Sequence, residues 1–287
     1  MNSSILETDV QTFITNHLGS DTIRILLGKS PFKNVSTREL VTQIESKKRC
    51  EKKLPLWYST PGIYYPPKIS IEQASSQATA KYKAQLIKGE HVLDATGGFG
   101  VDSYYFSLHV QRVVHCEINE ALSTIVRHNA ETLHAKHLFC HVGDGMTYLQ
   151  NSNEQFDTIY IDPSRRLNTH KVFKITDCEP DVKANLDLLT KKYARVIIKT
   201  SPLLDIKSGL ADLKNVREIH VVSVKNDCKE LLWIIDPDFK GNEPLIYCAA
   251  IDDKENTNSY SFNLSEEKTA PNPTPSKPLN FIYEPDV

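Results

Sequence analysis

The sequence predicts an α/β fold built on an open, mostly parallel sheet with helices on both faces. From about Ile71 to Ile251, short apolar runs rich in β-branched residues alternate with helical patterns, which is typical of βαβ units. Near the end of this region, two strand-like runs flank the turn-prone pair Asn226-Asp227. That arrangement predicts a terminal antiparallel hairpin. With the five strands before it, the hairpin gives an expected sheet of seven strands.

Residues 1–69 are expected to form a small helical region followed by an extended connector. Ser36 and Glu39 have the spacing of a capping box, so a helix is expected after Ser36. Its basic end, ESKKRCEKK, suits a solvated last turn, or alternatively a small patch that contacts nucleic-acid phosphate. The next stretch, LPLWYSTPGIYYPP, is rich in proline and aromatic residues, so it is predicted to be extended.

The α/β region, residues 70–251, is expected to begin with one helix from Ser70 to Leu86. The five strands that follow are expected at HVLDAT, RVVHCEI, HLFCHV, TIYIDP and ARVIIKTS. The helical patterns after them lie near residues 101–108, 119–134, 145–150, 179–192 and 205–214. The tail, residues 252–287, is polar and has four prolines within eight residues, so it is expected to be a linker that leads into a further, missing module.

Composition excludes several classes of protein. The chain is 40% hydrophobic and 24% charged, so it can bury a core and is not disordered as a whole. Its longest apolar runs are too short for a transmembrane helix, so no membrane partner is expected. A net charge of −2 argues against a protein that is basic throughout. The six cysteines include no CxxC pair, so we expect no metal, no disulfide framework and a cytoplasmic location.

The strongest local signal is VLDATGGFGVDS, residues 92–103, a strand that enters a glycine-rich turn and opens a helix. This arrangement lets the backbone approach a nucleotide-like ligand. A GxGxxG pattern that starts at Gly98 would need glycine in place of Ser103. Asp94 at the strand end would repel a pyrophosphate, whereas it suits a cationic or amine-bearing ligand.

Three further strands are expected to end in a carboxylate. Glu117 follows Asp94 by 23 residues, the position from which a carboxylate accepts hydrogen bonds from a ribose diol. Asp144, in VGDG, suits an adenine amino group, or alternatively caps a helix. Asp162-Pro163 ends the fourth strand, in YIDPSRR. Parallel strands end at the same edge of a sheet, so the carboxylates at the ends of four successive strands are expected to lie along one edge. This arrangement indicates a ligand-binding site there.

These residues resemble the class I S-adenosylmethionine (SAM)-dependent methyltransferases over roughly residues 71–251. The resemblance implies a Rossmann-like transferase domain with SAM as cofactor. It implies a cofactor site formed by Asp94, Thr96, Gly97, Gly98, Gly100, Glu117, Ile118, Asp144 and Gly145. It also implies that Asp162, Pro163 and Ser164 are the catalytic residues that border the methyl acceptor.

A closer resemblance covers more of the chain. The segments KLPLWYSTPGIYYPP, IEQASSQATAKYKA, DATGGFGVDS and IDPSRR are similar to bacterial methyltransferases with a C-terminal THUMP-like domain, which are usually taken as RNA-modifying. In that family IYEP begins the next module, and this chain has LNFIYEPDV near its end. The resemblance implies RNA modification, with methylation of a base nitrogen in tRNA or rRNA. Because the net charge is −2 and few phosphates can be neutralised, this chain is expected to bind RNA weakly and to methylate poorly without that module.

The loop after the fourth strand departs from related patterns. In enzymes that methylate amino groups, this strand ends in Asn/Asp-Pro-Pro-Tyr/Phe, whereas Ser164 and Arg165 stand here for the second proline and the aromatic residue. Arg165, Arg166 and Lys199 are expected to bind substrate phosphate. Ion pairs are the alternative, with Asp162 as the partner of Lys199. Methylation at C5 of a pyrimidine is disfavoured because no cysteine follows the fifth strand.

Other functions stay open at this point. The chain could methylate a small molecule or a protein, or be a catalytically silent SAM-binding module of an RNA-binding protein. A nicotinamide-linked oxidoreductase is disfavoured by Asp94, by Ser103 and by the final hairpin. The sequence predicts neither the oligomeric state nor the nucleotide that is modified.

Overall fold

The computed structural model describes residues 1–165, 175–190 and 195–269. It divides into two compact units, Met1–Glu154 and Gln155–Val287. Within the described ranges, each helix is too short or too polar to cross a membrane.

The first unit has a layer of helices at its start and a parallel sheet after it. A 3-10 helix, Ser3–Leu6, comes first. The α-helices are α1 (Thr8–Asn16), α2 (Thr22–Leu27), α3 (Thr37–Lys53), α4 (Pro55–Ser59), α5 (Lys68–Gln73), α6 (Gln77–Leu86), α7 (Val101–Ser107), α8 (Glu120–Thr132) and α9 (Gly145–Asn151). The strands are β1 (His91–Asp94), β2 (Arg112–Glu117) and β3 (Leu138–Val142). β2 lies between β1 and β3 and is parallel to both.

Helix α3 begins at the capping box that the sequence predicts. The Glu39 amide donates to Ser36 Oγ at 3.2 Å, and the Ser36 amide donates back to Glu39 Oε2 at 2.8 Å. The buried residues Leu40, Ile44 and Cys50 lie at helical spacing on one face. Two amides of the first turn are thus satisfied, and the apolar face fixes how the helix packs.

The connector and the helix after it differ from the prediction. The connector was expected to be extended, but α4 occupies its first residues and buries Trp57. The helix expected from Ser70 to Leu86 is broken at residues 74–76 into α5 and α6. The break arises because Ser76 caps α6, its Oγ accepting from the Thr79 amide at 3.2 Å.

Residues 62–67, here called the strap, are held from two sides by side-chain amides. Asn129 of α8 pairs with both backbone groups of Tyr64, at 2.9 Å each. Gln43 of α3 pairs in the same way with Tyr65, at 3.0 and 2.6 Å. These bonds are buried, so the side chains satisfy backbone groups that have no strand beside them.

The second unit contains a mixed sheet and three α-helices in its described residues. Its strands are β4 (Thr158–Ile161), β5 (Ser164–Arg165), β6 (Cys178–Glu179), β7 (Arg195–Thr200), β8 (Val216–Val224), β9 (Asp227–Ile235), β10 (Leu245–Ile251) and β11 (Thr257–Asn263). Its helices are the 3-10 helix Ile175–Asp177, α10 (Val182–Thr190), α11 (Ile206–Asp212) and α12 (Leu264–Thr269). The strand order is β11-β10-β8-β9-β7-β4, and β5 pairs only with β6.

The Rossmann-like α/β class is confirmed, but the strand count is not. Seven strands were expected. Besides the short β5–β6 ladder, the described residues form nine strands, three in the first unit and six in the second. The hairpin exists as β8–β9, and β9 is antiparallel to both β8 and β7. Its turn residues are Lys225 and Asn226, one position before the predicted pair. Both have positive φ, 54° and 60°, as a type I′ turn requires.

The hairpin is not the last pair of strands. β10 is parallel to β8, and β11 is antiparallel to β10. β11 and α12 lie within residues 252–287, which the sequence indicated as a linker. The polar sequence of β11 concealed it, because most of its side chains are exposed. Backbone hydrogen bonds along one side hold this edge strand in place.

Candidate functional site

The glycine turn, residues 95–100, leads from β1 into α7. Gly98 and Gly100 have φ values of +54° and +75°, in the left-handed region that favours glycine. Gly97 needs to lack a side chain for another reason. A Cβ at Gly97 would lie 2.1 Å from the ring of His115, so the turn rests directly on the imidazole.

A buried network lies under the glycine turn. Ser103 Oγ donates to Asp94 Oδ2 at 2.5 Å and lies 3.0 Å from His115 Nδ1. Because the hydroxyl proton goes to Asp94, His115 Nδ1 is assigned as the protonated ring nitrogen. The Thr96 amide donates to Asp94 Oδ1 at 3.2 Å. Ser103, which stands where a GxGxxG pattern has glycine, thus ties α7 to the end of β1.

This network predicts a pH dependence of stability. Burial lowers the pKa of His115 from its ordinary value of 6.5 to about 4. The unfolded chain therefore binds this proton more tightly. The stabilisation is complete above pH 6.5 and is lost as the pH falls through about 4. We expect the free energy of unfolding to fall by about 3 kcal/mol across this window, measured by urea unfolding at several pH values. His115→Gln should flatten this part of the profile, and a profile that keeps its slope would contradict the assignment. His109→Gln, at an exposed position, should leave it unchanged.

Glu117 holds the neighbouring strand end against the glycine turn. Its Oε2 accepts from the Gly98 amide at 3.0 Å, and its Oε1 accepts from the Asn119 amide at 2.7 Å. A carboxylate has about four lone-pair positions, so each oxygen retains one for a ribose hydroxyl. Beside it, Ile118 is 72% exposed. An exposed apolar side chain next to a carboxylate that can accept further hydrogen bonds suits the face of an adenine ring.

Asp144 and Gly145 form the third part of this site. Asp144 caps α9, because its Oδ2 accepts from the amide and the hydroxyl of Thr147, both at 2.7 Å. Asp144 therefore has the helix-capping role that the sequence analysis gave as an alternative. In the described part of the chain, Asp144 Oδ1 has no hydrogen bond, so it can still accept one from an amino group. A Cβ at Gly145 would lie 2.2 Å from the Ala95 carbonyl oxygen, which places α9 against the glycine turn.

The first unit therefore brings its predicted cofactor residues together. Glu117 contacts Gly98, Gly145 contacts the turn at Ala95, and the carboxylate of Asp94 is buried beneath them. The donor set fits SAM, since it offers carboxylate acceptors for hydroxyl and amino groups and bare backbone for close approach. Asp94 was expected to face the ligand. Its carboxylate oxygens instead accept hydrogen bonds from Ser103 and from the Thr96 amide within the protein.

The second unit holds the predicted acceptor residues. Asp162 follows β4, and Lys199 lies on the adjacent parallel strand β7. Lys199 Nζ donates to Asp162 Oδ2 at 2.5 Å, and their side chains are 16% and 30% exposed, respectively. The sequence left two roles open for Lys199, binding of substrate phosphate and an ion pair with Asp162. The structure shows the ion pair. Ser164 is exposed on β5. Arg166 and the side chain of Arg165 lie outside the described residues.

The end of β7 is fixed by a buried contact. Trp233 Nε1 donates to Thr200 Oγ1 at 2.9 Å, one residue after Lys199. A Cβ at Gly209 would lie 2.3 Å from the Trp233 ring, so α11 packs directly on the indole. These contacts tie the end of β7, which carries Lys199, to Trp233 of β9, on which α11 packs.

Sequence reasoning missed a buried ion pair beside the glycine turn. Lys83 Nζ lies 3.0 Å from Asp102 Oδ1 and donates to Ser75 Oγ at 2.6 Å, and Ser75 donates on to Asp102 at 2.7 Å. The pair joins the break between α5 and α6 to the first turn of α7. Lys83 is fully buried on a helix face that it shares with Ala80 and Ala84. A lysine on an otherwise apolar helix face was the sequence feature that could have indicated the buried ion pair.

Two properties of the described residues bear on other chemistries. No group of histidine, cysteine, aspartate and glutamate side chains among them has the geometry of a metal site. All six cysteines fall within the described ranges, and each is a free thiol. Burial raises the pKa of Cys116 to about 12, so this thiol stays protonated near neutral pH.

Comparison with known proteins gives methyltransferases among the relatives. No family model matches the chain. It is 25% identical over 165 residues to proteins from two strains of Mycobacterium tuberculosis, each described as an uncharacterized S-adenosylmethionine-dependent methyltransferase. The alignment covers 57% of this chain and 44% of each relative, so the chain spans less than half the length of these curated relatives.

A solved structure extends the likeness to nearly the whole chain. A protein from Porphyromonas gingivalis described as a "putative methyltransferase" has a TM-score of 0.79 and 28% sequence identity, covering 96% of this chain and 69% of that one. The chain therefore has the fold of the class I SAM-dependent methyltransferases.

Proposed function

We propose that the protein transfers the methyl group of SAM to a nitrogen atom of a base in RNA, either tRNA or rRNA. The donor is proposed to bind at the glycine turn, Glu117, Ile118, Asp144 and Gly145. The acceptor is proposed to bind at Asp162, Pro163 and Ser164, with Arg165 and Arg166 directed to substrate phosphate and Lys199 orienting the Asp162 carboxylate.

The observation that carries this proposal is the Asp162–Lys199 pair. The carboxylate follows a β-strand, remains partly exposed, and is oriented by an ammonium group. Such a carboxylate can accept a hydrogen bond from an amino or imino group of a base and so direct the nitrogen lone pair. Asp162-Pro163 also matches the start of the Asn/Asp-Pro-Pro-Tyr/Phe motif of enzymes that methylate amino groups.

In methyl transfer from SAM, the main task of the protein is to align the acceptor nitrogen with the methyl group. SAM supplies an electrophilic methyl group. The bond from sulfur to the methyl carbon breaks as the bond from nitrogen forms, and the nitrogen then loses a proton to water or to a carboxylate. The chain therefore has to orient the acceptor and exclude water. Asp162, placed beside Lys199 on β7, suits the first task.

The finer family assignment belongs to this proposal. The motifs around the strap, α5–α6, the glycine turn and DPSRR resemble bacterial methyltransferases with a C-terminal THUMP-like domain, and this resemblance supports RNA as the partner. The six free thiols support a reducing compartment, the cytoplasm.

The test is to follow the methyl group. Total RNA from cells with and without the gene should differ in one methylated base by nucleoside mass spectrometry. Purified protein should transfer label from SAM to RNA of the deleted strain. Glu117→Ala should weaken SAM binding by about 1–3 kcal/mol, since ribose hydroxyls lose their acceptor, as measured by titration calorimetry. Label found only in protein or in small molecules would contradict the RNA proposal. NAD binding without SAM binding would overturn the cofactor as well.

A further inference from the structure

Positive charge is concentrated in one segment of the first unit. Residues 22–53, which contain α2 and α3, hold nine lysines and arginines against three acidic residues, although the chain as a whole carries −2. The acidic residues Glu39 and Glu45 are engaged internally, because Glu39 accepts from Ser36 and Glu45 accepts from Thr22. With both carboxylates still charged, nine cations against three acidic residues leave this segment with a net charge of +6.

Some of these cations have structural partners, and others do not. Lys47 donates to Thr15 at 3.1 Å, Lys53 donates to the Glu72 carbonyl at 2.7 Å, and Arg49 pairs with the Glu72 carboxylate. The exposed cations whose side chains have no hydrogen bond or ion pair within the described residues are Lys29, Lys33, Arg38, Lys48 and Lys52. We call these five residues the cation stripe.

Three members of the stripe lie along the solvent face of α3. Arg38 and Lys52 are fourteen residues apart, close to four helical turns, and Lys48 precedes Lys52 by one turn. They span about 21 Å at 1.5 Å per residue. The opposite face is buried, and the capping box and the Gln43 contact with the strap fix the helix. The charges are thus displayed on a rigid support.

Helix α2 adds apolar surface beside the stripe. It buries none of its residues, and Leu27 is 81% exposed. The helix is attached to α3 by hydrogen bonds from Thr22 to Glu45 and from Thr37 to the Leu26 carbonyl, at 2.9 and 3.2 Å. Cations with adjoining apolar side chains suit a polyanion that also exposes unpaired bases.

We propose that the solvent face of α2 and α3, with the cation stripe, is a docking surface for the phosphate backbone of the substrate RNA. This inference rests on the proposed function. RNA is favoured over an anionic membrane because α2 has six residues, which bury too little apolar area for stable interfacial binding. The charges instead extend along α3, as contact with successive phosphates requires.

The test compares two triple variants of residues 1–287. The stripe variant is Arg38→Gln, Lys48→Gln and Lys52→Gln. The matched control is Lys207→Gln, Lys214→Gln and Lys240→Gln, which removes the same charge at exposed positions of the second unit. Binding of a fluorescent RNA hairpin is measured by anisotropy from about 50 to about 200 mM salt. The logarithmic salt slope of the stripe variant should become shallower by about 2, at roughly 0.7 per lost phosphate contact. Its affinity at the lowest salt should fall at least roughly tenfold.

Two further variants test whether the loss of binding comes from the lost charges and not from misfolding. Arg38→Lys with Lys48→Arg and Lys52→Arg keeps the charges and should bind RNA as the unmodified chain does. Lys29→Gln with Lys33→Gln lies outside α3 and should make the slope shallower by about 1.4 even if the first variant misfolds. The control triple should match the unmodified chain, and SAM affinity should stay constant in all variants.

The outcomes separate the two proposals. If the unmodified chain binds RNA and the stripe variants bind it with the same affinity and slope, the docking surface is wrong and the proposed function stands. If the unmodified chain binds no RNA, the docking surface is wrong, and transfer of label from SAM to RNA of the deleted strain then decides the proposed function separately. If it binds vesicles of phosphatidylserine and phosphatidylcholine through the stripe and ignores RNA, the surface is a membrane contact and the inference is overturned.

Discussion

Replacing Asp162 by alanine should lower the single-turnover rate of methyl transfer by roughly tenfold to a thousandfold, the range for loss of one oriented polar group. The carboxylate follows β4 and is held by Lys199 at 2.5 Å, so its direction is fixed before the acceptor arrives. Without it, the acceptor nitrogen loses the group that orients its lone pair. SAM affinity should stay nearly unchanged, because the proposed donor residues lie in the first unit.

Two variants sharpen this prediction. Asp162→Asn keeps a carbonyl oxygen that accepts the same hydrogen bond, so it should retain much more activity than Asp162→Ala. Lys199→Met keeps the carboxylate and should also lose less. Single-turnover kinetics with RNA from a strain lacking the gene measures the rates, and calorimetry measures donor binding. Unchanged methylation by Asp162→Ala, or loss of SAM binding in it, would show that this loop does not serve the acceptor.

Replacing Gly145 by alanine should destabilise the first unit by about 1–3 kcal/mol or more and weaken SAM binding with it. The added methyl would lie 2.2 Å from the Ala95 carbonyl oxygen and 2.5 Å from Ala95 Cα. Both are backbone atoms, so no side chain can turn away. Helix α9 has to move away from the glycine turn, which displaces Asp144 and residue 95 together.

Gly19→Ala is the matched control for this substitution. A Cβ at Gly19 would meet no atom within 4 Å, so the same chemical change should alter the free energy of unfolding by less than about 1 kcal/mol. Urea unfolding and SAM calorimetry on both variants provide the measurement. A Gly145→Ala variant as stable as the unmodified chain would mean that α9 does not depend on this close approach.

The strands and glycine turn of the first unit were predictable because their signals are local. Apolar runs define β1 to β3, and a glycine or an acidic residue lies at or just after the end of each strand. The contact between Glu117 and Gly98 follows from parallel topology, since neighbouring strands end side by side. Asp144 shows the limit of such reasoning, because a carboxylate after a strand caps a helix and can face a ligand with its second oxygen.

Other features depend on contacts between residues far apart in the sequence. The buried direction of Asp94 is set by Ser103 and His115, which approach it only in the folded chain. The break before α6 brings Ser75 between Lys83 and Asp102, although local propensity favours a continuous helix. β11 has a polar sequence and little burial, so the hydrophobic pattern gives no sign of a strand.

The strap has a consequence for how this protein can be cut or inherited. Tyr64 and Tyr65 offer four backbone groups, all satisfied by the amides of Asn129 and Gln43. A recombinant fragment that began after residue 69 would leave the Asn129 amide and the apolar surface around it without partners. Loss of the N-terminal helices would therefore destabilise the part of the first unit that contains the glycine turn and β1 to β3. Domain shuffling can attach or remove a module that contacts few residues, but this segment has to descend together with the sheet that it borders.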